Sequence, residues 1–193
     1  MKKSLIITIA VIAVIVLWGV KINNRMVSLE EDTTKAWSNV ENVYQRRADL
    51  IPNLVETVKG YAAHESSTLQ SVIEARSNAT KISVDPSNMT AEQLKQFQEA
   101  QGMVGSALGR LIAISESYPD LKANQNFQEL QAQLEGTENR IAVERKNFND
   151  VASNYNKYVR KFPNSLLANI LGFEKKPYFE AEEGASKAPK VTF

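Results

Sequence analysis

The chain has no cysteine and one histidine, His64, in 193 residues. Without cysteine there is no disulfide, no thiol nucleophile, no Cys-based metal site and no lipid attachment of the lipobox kind. A zinc site lacking cysteine needs more than one histidine in most cases. A helix-bundle di-metal site needs paired Glu-x-x-His motifs, and there are none. His64, beside Glu65, reads as a helix-end residue. No Gly-x-Ser-x-Gly elbow is present, so a serine triad has no support. Glycine is scarce at eight residues, and the alternation that marks strands is absent. GMVGSALGR, which holds Gly102, Gly105 and Gly109, has no Gly-Lys-Ser/Thr and no strand before it, which excludes a phosphate loop. The expectation is no catalytic residues, no metal, no cofactor and no enzyme activity.

One long hydrophobic run is present. Residues 5–20 read LIITIAVIAVIVLWGV, with no charge. Sixteen helical residues rise about 24 Å, against a hydrocarbon core of roughly 30 Å. Ser4, Ile22 and snorkelling Lys3 and Lys21 close most of the gap. Trp18 suits an interfacial aromatic. The rival reading is a cleaved signal peptide. The stretch after Val16, LWGVKINNR, has no small-x-small cleavage pair, so the run is expected to stay as an anchor. The flanking charges are nearly balanced. An N-terminus inside is the simplest orientation for an anchor followed by a large domain.

Charge is distributed unevenly. All 22 acidic residues follow residue 25, whereas Lys2, Lys3, Lys21 and Arg25 precede or occupy it. The remaining 19 basic residues against 22 acidic ones give the soluble part −3, a poor match for nucleic acid. The doublets Arg46–Arg47, Arg145–Lys146 and Lys175–Lys176 read as solvated helix faces.

Beyond the anchor the pattern is helical and suits one domain. Trp37, Val40, Tyr44, Ala48, Ile51, Val55, Val58 and Ala62 recur at steps of three and four. Residues 21–36 contain no glycine or proline, so the anchor helix is expected to continue into this stripe. Pro52 lies inside it and predicts a kink rather than a break. A second helix is expected over about 65–80, with Leu69, Val72, Ile73 and Arg76 inward. ISVDPSNMT is a loop. Thr90 and Gln93 form a capping box that opens a third helix with an inner face of Leu94, Phe97, Val104, Leu108, Leu111 and Ser115. Its small residues leave a groove that a neighbouring helix of the same chain, or another subunit, could approach closely. A fourth helix covers about 124–162 with the stripe Phe127, Leu130, Leu134, Thr137, Ile141, Glu144, Phe148, Val151, Tyr155, Tyr158 and Phe162. Thr137 and Glu144 predict a buried polar layer shared with Arg or Asn of the first helix. The predicted organisation is anchor 1–25, helical bundle 26–163, docking segment 164–183 and disordered tail 184–193. Residues 165–180 either cap the bundle or contact another subunit or the lipid surface.

WSNVENVYQRRADLIPNLVETVKGYAAHE from Trp37, followed by LQSVIEAR, closely resembles the LemA family of bacterial membrane proteins. The similarity continues through ALGRL at 107–111, ESYPDLKAN at 116–124, FQELQ at 127–131 and LEGTENRI at 134–141. It ends at Tyr155-Asn156, Phe162-Pro163, Gly172-Phe173 and Tyr178-Phe179-Glu180. The resemblance implies an all-α protein: an N-terminal transmembrane helix and an antiparallel four-helix bundle of bromodomain-like up-and-down topology. It implies a single-pass protein of the bacterial inner membrane in the company of other membrane proteins, membrane peptidases among them. It carries no catalytic residues.

Arg46, Arg47, Asp49, Asn53 and Glu56 are the candidate interaction site. Four of them, Arg46, Asp49, Asn53 and Glu56, share one helical face around Pro52. Two readings stand: a local salt-bridge ladder, or a polar surface that binds a partner. For the whole chain the reading is an interaction or scaffold protein at the membrane. The alternative is a self-assembling structural protein, a homo-oligomer that organises or shapes the bilayer. A carboxylate-only enzyme built from Glu56, Glu65 and Glu116 would need a pair that no motif places.

Overall fold

The computed structural model describes residues 2–180, and every regular element among them is helical. The order is α1 Lys2–Tyr61, α2 Ser66–Thr80, α3 Ala91–Ile114, a 3-10 turn Ser115–Ser117, α4 Pro119–Lys122, α5 Gln125–Arg160 and α6 Asn164–Leu171. The expected tail, 184–193, lies outside the described residues.

Anchor and stripe form one helix of 60 residues, about 90 Å long. Large apolar side chains from Leu5 to Val20 point outward, and this part of α1 is long and apolar enough to cross a membrane. Coverage starts at Ile22. Ile22, Met26 and Leu29 pack with Tyr155, Val159 and Ala168. Further along, Trp37, Val40 and Tyr44 meet Leu94, Phe97, Phe148 and Phe179. At the far end Ile51, Leu54, Val55 and Val58 join Leu69, Val72, Val104, Leu108, Leu111, Phe127 and Leu134. The partners from α5 run Phe127, Phe148, Val159 as α1 is followed backwards, so α5 lies antiparallel to α1. No free stalk separates span from domain, because α5 and α6 pack on α1 from Ile22 onward.

Pro52 stands inside α1 and the helix runs through it. A proline there has no N–H for the carbonyl four residues back. That carbonyl belongs to Ala48, and Arg76 Nε of α2 donates to it at 2.7 Å. The inward place expected of Arg76 therefore serves the backbone of α1. We predict that Arg76→Ala costs about 1–2 kcal/mol in the natural chain. In a Pro52→Ala background the helix supplies its own donor and the cost shrinks. Four thermal unfolding curves close this cycle. Equal costs in both backgrounds would mean that the Arg76 contact contributes nothing.

Expectations for the helices hold with local exceptions. The Thr90 capping box is formed, Gln93 N–H donating to Thr90 Oγ1 at 3.1 Å and Thr90 N–H to Gln93 Oε1 at 3.0 Å. All six residues of the predicted inner face of α3 and its following turn are buried. Ile73 is 47% exposed, because Leu69 and Val72 already fill the inward face of α2. Phe162 is 81% exposed, because α5 stops at Arg160 and the residue before Pro163 is pushed off helical geometry. Thr137 is buried but bonds within its own helix, to the Gln133 carbonyl at 2.8 Å. Glu144 accepts from Asn147, also within α5. The predicted polar layer is therefore not built by Thr137 and Glu144.

Candidate interaction site

The five candidate residues divide between two sides of α1. Arg46, Asp49, Asn53 and Glu56 are exposed on one face around Pro52. Their partners are local: Gln45 Nε2 donates to Asp49 at 2.7 Å, and Lys59 Nζ stands 3.6 Å from Glu56. Exposed pairs of this kind contribute little to stability.

Arg47 points the other way and is 3% exposed. Its Nη1 donates to Glu138 of α5 at 2.9 Å, and its Nη2 donates to the Gln101 carbonyl of α3 at 2.9 Å and to Gln101 Oε1. The guanidinium lies 5.0 Å from the Tyr44 ring centroid. This is the buried polar layer, and it joins α1, α3 and α5. A planar fork with several fixed donors suits such a junction better than an ammonium would.

Arg47 also stands between two clefts. One, of about 310 Å³, is lined by α1, α2 and α3 residues including Ala48, Arg76 and Gln101. The other, of about 1130 Å³, is a groove between α3 and α5. Gly102, Gly105 and Ser106 line one wall, Glu138 and Arg145 the other, and Tyr178 and Glu180 one end. Among the described residues, no helix fills the small-residue face of α3. A Cβ placed at Gly102 or Gly109 would meet nothing within 4 Å, and one at Gly105 would meet only Arg47 Nη1 at 3.9 Å. Among the described residues the intrachain packing expected there is not made, and the space is the groove.

The end of the groove is closed by an extended strap, residues 173–180, held by two asparagines of α5 that lay outside the sequence expectations. Asn156 of α5 holds the backbone of Lys176 from both sides: its Nδ2 donates to the carbonyl at 2.8 Å and its Oδ1 accepts from the N–H at 2.9 Å. Asn149, two turns back, does the same to Phe179, at 3.0 and 2.8 Å. Gln98 and Arg145 then donate to the Glu180 carbonyl at 3.1 and 2.9 Å. Lys176, expected to be solvated, is 3% exposed. Its Nζ reaches Glu30 of α1 at 2.8 Å and the carbonyls of Pro86 and Ser87 at 3.2 and 2.7 Å. Tyr155 lies beside this cation, its hydroxyl buried and without a hydrogen-bond partner among the described residues. Burial holds that phenol above its ordinary range, with Glu30 and Glu174 adding to the effect. Within the single chain the strap thus rests on α1, α3 and α5.

We predict that Asn156→Ala frees the strap, because it orphans a buried N–H and a buried carbonyl at a cost of about 1–3 kcal/mol. The measurement is trypsin cleavage after Lys175 together with amide exchange over 174–180. Both should quicken, while α1 and α5 keep their protection near Trp37. Unchanged cleavage would mean that Lys176 and Phe179 suffice to hold the strap.

The three carboxylates considered for catalysis have separate partners: Lys59 for Glu56, the Tyr118 hydroxyl at 3.4 Å for Glu65, and Lys122 at 2.7 Å for Glu116. His64 is exposed in the turn between α1 and α2. Among the described residues, no three metal-ligating side chains gather.

The order of these features along the chain matches a known family. The model described as the LemA family matches residues 36–193. The chain belongs to the LemA family. Magnetosome protein MamQ 2 of Paramagnetospirillum magneticum is 33% identical over 186 residues, 88% of this LemA-family chain and 68% of its own. Magnetosome protein MamQ of Magnetospirillum gryphiswaldense has the same identity and coverage. Protein LemA of Metamycoplasma hominis is 24% identical over 160 residues, 83% of this chain and 69% of its own. The match takes in Arg47, Gln101, Glu138, both asparagines and the strap, so the polar layer and the clamp lie inside the family domain. With its outward-facing apolar span, this LemA-family protein is membrane-associated.

Proposed function

We propose that this LemA-family protein is a non-catalytic scaffold of the bacterial inner membrane, with its N-terminus inside, that holds other membrane proteins in the groove between α3 and α5. We read α1, α2, α3 and α5 as an antiparallel four-helix bundle of bromodomain-like up-and-down topology. The observation that carries the reading is that α1 runs unbroken from the span to the groove floor at Tyr44 and Arg47. A partner in the groove would be held in fixed relation to the bilayer. The groove offers both charges, from Lys95, Glu99, Glu138, Arg145 and Lys175, and suits a polar segment of a protein better than a lipid chain. Membrane peptidases are one partner class, on the family resemblance.

A second reading, self-assembly that organises the membrane, is favoured by the uncovered small-residue face of α3. Photo-crosslinking groups at Gly102 and Ser106 in intact cells separate the two. Adducts with other membrane proteins support the scaffold. Adducts with this chain alone support self-assembly, and no adducts at either position would overturn both.

A further inference from the structure

The corner between α5 and α6 has a surface that water does not suit. Phe162, Leu166, Ile170 and Leu171 are 81, 57, 78 and 49% exposed. Leu166 and Ile170 are four apart on α6 and share one side, Phe162 stands exposed in the turn just ahead of it, and Ala168 faces inward at 1% exposure. Four large apolar side chains uncovered within ten residues form a patch that calls for a partner.

The position of the corner identifies that partner. Ala168 and Val159 pack on Ile22 and Met26, with Leu167 and Phe173 beside them. Ile22 is four residues beyond Trp18, about 6 Å along the helix axis. Trp18 closes the apolar span, and Lys21 follows it. The corner is thus fixed at the height where the hydrocarbon ends and headgroups begin.

Charge agrees with this placement. Residues 17–25 and 157–171, which meet here, contain Lys21, Arg25, Lys157, Arg160 and Lys161 and no carboxylate. All five cations are exposed. Of the nearest acidic residues in the chain, Glu30 is paired with Lys176 and Glu174 lies beyond α6. Taking these five from 23 leaves 18 basic against 22 acidic residues elsewhere, so positive charge collects where the span emerges. An apolar face flanked by cations fits an anionic bilayer surface.

We propose that the α5–α6 corner is a second membrane contact, in which Phe162, Leu166 and Ile170 enter the headgroup–acyl boundary and the five cations meet lipid phosphates. One span leaves a domain free to rotate about its axis. A second contact removes that freedom and sets which way the α3–α5 groove faces along the membrane.

Because the chain has no cysteine, single probes are clean. Leu166→Cys, Ile170→Cys and, as a distant control, Met103→Cys carry an environment-sensitive fluorophore on the full chain. The chain is reconstituted in phosphatidylcholine vesicles with and without phosphatidylglycerol. The expected result is blue-shifted emission at 166 and 170, quenched by lipids brominated near the headgroup and stronger with phosphatidylglycerol, with aqueous emission at 103. Adding Phe162→Ser and Ile170→Ser to the Leu166→Cys chain should abolish the shift at unchanged helix content, since both side chains are exposed. Aqueous emission at 166 and 170 would overturn the proposal. So would a shift that vanishes on diluting the protein in lipid, because the patch would then cover a second copy of the chain.

Discussion

Trp37→Ala is expected to cost about 3–5 kcal/mol and to loosen the middle of the domain more than either end. Trp37 is fully buried and meets three rings: Phe97 and Phe148 edge-on, with centroids at 5.2 and 5.6 Å, and Phe179 stacked at 6.0 Å. Those rings come from α3, α5 and the strap. One deletion therefore unpins three elements, and a packed interior does not close over so large a gap. The check is urea unfolding of the full chain in mild detergent followed by circular dichroism, with strap protection read by amide exchange. Trp37→Phe keeps an edge against Phe97 and Phe148 and should lose markedly less. Equal losses for the two variants would mean that Trp37 contributes through something other than ring packing.

What the sequence could show depended on whether one periodicity sufficed. The stripes of α1 and α5 were legible because a helix buries every third or fourth residue on whatever it faces. Trp37, Val40, Ile51, Phe127, Leu134 and Phe148 all proved buried. The unbroken passage from span to domain followed equally from the lack of a breaker. A docking segment was expected at 164–183, but the clamp on residues 173–180 was not legible, since a segment held through its backbone leaves no pattern in its own side chains. A signal was present on α5. Asn149 and Asn156, seven apart, each follow a buried aromatic, Phe148 and Tyr155. Amides beside the core stripe of a helix need partners, and an extended peptide supplies both a donor and an acceptor.

Charges divided the same way. Each basic doublet holds one solvated residue, Arg46, Lys146 or Lys175, and one with a structural task, Arg47, Arg145 or Lys176. Lys175 and Lys176 lie in the non-helical strap, where helical phase does not apply. In the two helical doublets, phase turns adjacent residues well apart, so neither sits wholly on one face, and which member turns inward is legible from phase. What it finds there is not, because Gln101 and Glu138 lie 54 and 91 residues away.

Arg47→Ala should therefore be the costliest polar substitution, at about 3 kcal/mol, since it empties the junction of α1, α3 and α5. The Gln101 carbonyl and side chain would lose the donor that α1 supplies, and the Tyr44 ring its cation. Glu138→Ala should cost less, because the Glu138 side chain is 44% exposed and water screens the pair, while Gln101 still holds the guanidinium. Arg47→Met should recover part of the Arg47→Ala loss by filling the volume without a charge to satisfy. The expected order of stability is natural chain, Glu138→Ala, Arg47→Met, Arg47→Ala, read as urea midpoints of the full chain. If Glu138→Ala falls to the level of Arg47→Ala, the buried cation depends on its carboxylate alone and the Gln101 contacts do not carry it. The groove gives a second readout that packing alone would not move. Arg47 forms part of its floor, so Arg47→Met should alter adducts from Gly102 and Ser106 while α1 and α5 remain folded.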